Sequence, residues 1–72
     1  MNTILEIKGM HCESCKKLIQ MELEEAGFID KFKEATLLEN QIGEIKLVNI
    51  NTNDLEQIKE IINNLPNYEV IN

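Results

Sequence analysis

Gly9-Met10-His11-Cys12-Glu13-Ser14-Cys15 is the stretch at which the chain changes period. Before it, Thr3 to Lys8 alternates, with Leu5 and Ile7 on one face and Ile4, Glu6 and Lys8 on the other, the pattern of a half-buried strand. After it, from Ser14 or Cys15 to Ala26, the repeat becomes helical, with Cys15, Ile19, Leu23 and Ala26 on one stripe and Leu18 at its shoulder. The seven residues therefore read as a strand-to-helix loop, with Gly9 ending the strand. They hold both cysteines and the only histidine of the chain, so metal or thiol chemistry concentrates there.

Two thiols separated by two residues can converge on one atom when the first sits in a loop and the second in the opening helical turn. Cys15 falls near a helix N-terminus, where unpaired N–H groups and the helix dipole favour a thiolate. Soft thiolates select soft ions, Cu(I) first among physiological metals, and two of them can satisfy Cu(I), whereas Zn(II) normally takes four ligands. Spacing alone also fits a structural half-site or a redox couple.

The loop resembles the Gly-Met-X-Cys-X-X-Cys loop of the heavy-metal-associated domain family, which includes small copper chaperones and the metal-binding domains of metal-transporting P-type ATPases. The likeness continues outside it. Ile7-Lys8-Gly9-Met10 resembles the family's strand-to-loop entry, Ala26-Gly27-Phe28 its helix-to-strand turn and Tyr68-Glu69-Val70 its final strand. It is weakest over residues 29–43. The resemblance implies one such domain over residues 1–72, with Cys12 and Cys15 as metal ligands. It implies that Met10 tucks beneath the loop and shapes it, and that Tyr68 comes near the loop. His11 fills the variable position where zinc-handling relatives often carry aspartate, which leans toward Cu(I), although imidazole is itself a zinc ligand. The implied cargo is Cu(I), with Zn(II), Cd(II) or Hg(II) as alternatives. The implied partner is a metal-transporting P-type ATPase or another metal-binding domain.

The remaining elements follow in order. Glu22 falls inside the apolar stripe of the first helix, where the family carries a small apolar residue, and Gly27 offers a helix stop. A second strand is expected within Phe28 to Leu38, with Phe32 and Leu37 in the core and room for a bulge. Glu39 to Gly43 reads as a turn. Glu44 to Ile50 reads as a strand, with Ile45 and Leu47 on one face and Val48 and Ile50 on the other. Asn51 to Asp54 opens a second helix, with Asn53 as N-cap and Glu56 completing a capping box. Leu55, Ile58, Ile61, Ile62 and Leu65 keep its apolar period up to Pro66. Tyr68 to Ile71 closes the chain as a strand with Val70 inward.

Strand, helix, strand, strand, helix, strand is the order of a ferredoxin-like α+β sandwich, a four-stranded antiparallel sheet with two helices on one face. On the open face Ile4, Val48 and Ile71 are expected side by side, a patch consistent with a monomer or a weak dimer.

Seventy-two residues bound one small domain, which buries only roughly 60% of its unfolded surface and gains from a bound ion. The start of the chain carries no basic, apolar leader, and two cysteines are too few for a disulfide scaffold, so a reducing, cytoplasmic setting is expected. A net charge of −6 disfavours nucleic acid and anionic membrane as partners. An enzyme is not expected. Thiol-disulfide oxidoreductases of the thioredoxin type are longer and set a cis-proline against the active site, whereas Pro66 here ends a helix. A redox protein using Cys12 to attack and Cys15 to resolve is the alternative of another class.

Overall fold

The computed structural model describes residues 2–72 and has the expected order: β1 (Thr3–Lys8), α1 (Glu13–Glu25), a single 3-10 turn (Ile29–Lys31), β2 (Phe32–Leu37), β3 (Ile42–Leu47), α2 (Thr52–Asn63) and β4 (Glu69–Val70). The four strands form one antiparallel sheet in the order β2-β3-β1-β4. This is the ferredoxin-like α+β arrangement, and it places β1, which feeds the Gly9 loop, in the interior of the sheet.

The alternation in β1 works as read. Leu5 and Ile7 are buried, as are Ile45 and Leu47 of β3. The register sets Leu5 opposite Ile45 and Thr3 opposite Leu47, so these side chains share one face. Cys15, Ile19 and Leu23 of α1 and Ile58 and Ile62 of α2 complete the same core. Ala26 does not join the stripe: it is the exposed C-cap of α1. Glu22 stays half-buried at the stripe's edge, and no buried side-chain polar atom among the described residues lacks a partner.

Between Gly27 and α2 the structure departs from the sequence reading. Phe28 precedes β2 and is itself buried, whereas Phe32 and Leu37 lie half-buried against the core. The bulge is present as a register shift between Phe32 and Glu34. The turn is tighter than Glu39 to Gly43, because Asn40 and Gln41 both adopt positive φ, near 60° and 63°, and return the chain at once. Gly43 therefore lies inside β3, which begins at Ile42 and ends at Leu47, three residues short of the expected Ile50. Asn49, at φ 53°, bends the chain after it and turns Ile50 into the core.

The N-cap of α2 is Asn51, two residues before the expected Asn53. Its side-chain oxygen accepts from the Asp54 N–H at 2.7 Å, and the Asp54 carboxylate accepts from the Asn51 N–H at 3.4 Å. The closing strand is only two residues long, with side chains extending its pairing. Asn63 at the end of α2 accepts from the Val70 N–H at 2.8 Å. Asn72 accepts from the Glu6 N–H at 2.8 Å and donates to the Ile4 carbonyl at 3.0 Å. These contacts fix the approach of Tyr68.

On the open face Ile4 and Ile71 are exposed, and Ile4 lines a groove together with Val48, Lys33 and Lys46, so that charge is interleaved with the expected patch. Lys46 stands opposite Ile4 in the register, and Ile71 pairs through its N–H with the Glu6 carbonyl at 2.9 Å.

The cap assignment is open to direct test. Asn51→Ala should lower unfolding free energy by about 1 kcal/mol in urea titrations, whereas Asn53→Ala should stay within about 0.5 kcal/mol of the parent.

Candidate metal site

Backbone contacts and a buried methionine together hold the loop that leaves β1. Gly9 adopts φ 103°, which glycine reaches without strain, and a Cβ at this position would collide with the Asn67 carbonyl. Its N–H donates to the Gln41 carbonyl at 2.8 Å. Thus the β2-β3 turn grips Gly9 on one side, and the segment before β4 packs on it from the other. Met10 follows and is fully buried, as the resemblance implied. It packs over Gly43, where an added Cβ would come within 2.9 Å of Met10 Cβ. An isolated glycine inside a strand marks such a close approach.

Cys12 is the N-cap of α1 and Cys15 lies three residues on, in the first turn. These two positions face each other at any helix start, and the same spacing closes the Asn51/Asp54 box on α2. In α1 no side chain caps the first-turn N–H groups. The sulfurs instead approach each other at 3.5 Å, with either able to donate, and the Cys15 N–H reaches back to the Cys12 carbonyl at 3.0 Å. Both thiols are free.

His11 is exposed beside them, and one of its ring nitrogens and the two sulfurs all lie within 4.8 Å of one another. This His/Cys/Cys group could hold a metal ion. Nδ1 of His11 is 3.1 Å from the Gly9 carbonyl, an oxygen that only accepts, so that bond puts the proton on Nδ1 and leaves Nε2 its lone pair. Ligation through Nδ1 would require giving the bond up.

The two cysteines are unequal. Cys15 is only 6% exposed, whereas Cys12 is half-exposed and more open to an approaching group. The Cys15 thiol is lowered from its ordinary 9.0 to about 7, first by the Tyr68 hydroxyl as hydrogen-bond donor to its thiolate, then by the His11 backbone, with smaller help from Cys12 and against the effect of burial. Tyr68 in turn is pushed up to about 12, chiefly by burial and then by its bond to Cys15 and the charge of the two thiolates, so it remains a protonated donor. Sequence reasoning assigned the asymmetry to the helix start. The largest influence comes instead from the far end of the chain. Gln41, Gly43 and Asn67 were not picked out as site residues, although Gly43, in phase with Ile45 and Leu47 on the inward face of an alternating stretch, was a readable signal. No family model matches the chain, and neither a curated protein nor a solved structure matches it.

A depressed folded-state value means that the thiolate stabilises the fold. That contribution is fully present above pH 9.0 and is lost as pH falls through about 7. Following thiolate absorbance in the ultraviolet, Cys12→Ser should show one transition near pH 7, and adding Tyr68→Phe should move it upward. An unmoved transition would contradict the Tyr68 assignment. Serine at position 12 is also a good N-cap, so Cys12→Ser should raise metal-free stability by about 0.5–1 kcal/mol in urea titrations.

Proposed function

We propose that this chain is a metal-ion carrier of the heavy-metal-associated type, which holds Cu(I) between Cys12 and Cys15 and passes it on by ligand exchange. The observation that carries the reading is the pair of sulfurs at 3.5 Å on an exposed helix start, with His11 as the one further His, Cys, Asp or Glu donor grouped with them among the described residues. A closed structural zinc site takes four such ligands. In the metal-free protein one thiol can donate to the other across the gap where the ion would sit.

Transfer follows from this openness. A partner thiolate adds to the ion from the Cys12 side as a third ligand. The Cys12–metal bond breaks next and the Cys15–metal bond last, while further partner donors take over. The oxidation state of the ion is unchanged, and each released sulfur can take up a proton shed by an incoming thiol. The partner in this reading is a metal-transporting P-type ATPase or another metal-binding domain, and the setting is cytoplasmic. No helix among the described residues is long and apolar enough to cross a membrane.

A specific observation favours a second cargo. For metal–thiolate bonds of about 2.3 Å, sulfurs 3.5 Å apart subtend about 100°, while a linear two-coordinate ion needs them about 1 Å further apart. The closer spacing suits a three- or four-coordinate ion, with His11 as third ligand and Zn(II) or Cd(II) as cargo. The redox alternative is less well supported. It needs the accessible sulfur to be the activated one, and the lowered thiol is the buried Cys15.

Competition of the reduced protein with a chromophoric Cu(I) chelator should give one ion per chain, with binding lost in Cys12→Ser and in Cys15→Ser. If Cu(I) is the cargo, His11→Ala should change Cu(I) affinity less than about three-fold but weaken Zn(II) by more than about ten-fold. Failure to compete for Cu(I), with vigorous disulfide reductase turnover, would overturn the carrier reading in favour of the redox one.

A further inference from the structure

The outer face of α1 carries features that the metal site does not use. Met21 is 57% exposed and Leu18 40%, two large apolar side chains one helical turn apart on the side away from the core. Lys17 lies one turn before Met21, and Glu24 and Glu25 lie one turn after it. None of these three charges makes a salt bridge among the described residues, since the pairs formed are Lys16–Glu13, Lys31–Asp54 and Lys46–Glu34.

The order of charges along α1 is also unfavourable for the helix itself. A helix dipole favours acids in the first turns and bases in the last. In α1 the first turn holds one acid, Glu13, which pairs with Lys16, but Lys17 stands near the positive end with no pair among the described residues, Glu22, Glu24 and Glu25 stand near the negative end, and no base lies in the last turn. Local stability does not account for that arrangement. A second helix running antiparallel does, because it sets the lysine-bearing half of each copy against the glutamate-bearing half of the other and cancels the two dipoles.

We propose that the outer face of α1 is a self-complementary docking surface for a second copy of this chain. The two helices cross antiparallel at Met21, which meets Met21 of the second copy on the two-fold axis. Leu18 flanks it, and Lys17 of each copy faces Glu24 and Glu25 of the other. The same patch thus serves both sides, as an isologous dimer requires. The interface is small, so association is weak and reversible.

This dimer differs in kind from one bridged by a shared ion. Cys15 lies six residues from Met21, so the two metal loops end up about 18 Å apart along the helix axes, at opposite ends of the interface. Both remain open to an acceptor. Association therefore does not depend on the metal reading, and the two can fail separately.

Sedimentation of the metal-free, reduced protein over a range reaching millimolar concentration tests the proposal, with circular dichroism confirming that each variant is folded. The parent should show a concentration-dependent monomer–dimer equilibrium. Met21→Lys should abolish it, and Lys17→Glu should weaken it by roughly ten-fold. Combining Lys17→Glu with Glu24→Lys and Glu25→Lys should restore it, a rescue that a merely structural effect would not produce. Ile4→Lys on the sheet face and Cys12→Ser with Cys15→Ser should leave it unchanged. A parent that stays monomeric throughout, an association seen only with metal or lost with the cysteines, or a charge swap without rescue would each overturn the proposal.

Discussion

Everything at the functional end of this molecule depends on two sulfurs occupying the N-cap and the third position of one helix. That spacing is the one at which side chains at a helix start reach across to each other, and hydrogen-bonding residues normally use it to seal the exposed N–H groups. The two helices of this chain use it differently. Asn51 and Asp54 close the start of α2 with reciprocal hydrogen bonds, whereas Cys12 and Cys15 leave the start of α1 uncapped and hold their sulfurs 3.5 Å apart. The end of α1 that is least satisfied by its own chain is thereby the one available to an ion.

An uncapped helix end needs support from elsewhere, and three other segments supply it. Gln41, in a left-handed conformation at the β2-β3 turn, directs its carbonyl to the Gly9 N–H. Asn67, also left-handed, lies against the Gly9 Cα, and the buried Met10 fills the space above Gly43. Such backbone conformations cost energy in residues other than glycine, and here they converge on one loop. The side chain of Tyr68 follows directly after Asn67 and tunes Cys15. Position, rigidity and charge at the sulfurs are thus set by parts of the chain distant in sequence.

The fold was largely legible because β1, α1 and α2 each bury one face, and the period of that face shows in Leu5 and Ile7, in Cys15, Ile19 and Leu23, and in Ile58 and Ile62. The pair Cys12 and Cys15 was legible for a related reason, since its spacing is local. What escaped was set by backbone geometry. Two left-handed residues shorten the turn after β2 and shift β3, and Asn49 sends Ile50 inward, although neither event changes the apolar count. The N-cap of α2 was misplaced because Asn51 and Asn53 are equally good caps, and only the path of the chain out of β3 chooses between them. The weight of Tyr68 on Cys15 could not be read from spacing at all, because it arises from the register of a two-residue strand.

The central claim is that the loop is organised before the ion arrives, so that binding replaces a thiol–thiol hydrogen bond and asks the two sulfurs to part by only about 1 Å. Backbone amide NMR of the reduced protein before and after addition of one equivalent of Cu(I) measures this most directly. The account predicts resolved, dispersed loop signals in the metal-free state, and shifts on binding confined to residues 9–16 together with Gln41, Asn67 and Tyr68. Loop signals that are broadened away until metal is added, or changes that spread through β2, β3 and α2, would contradict it.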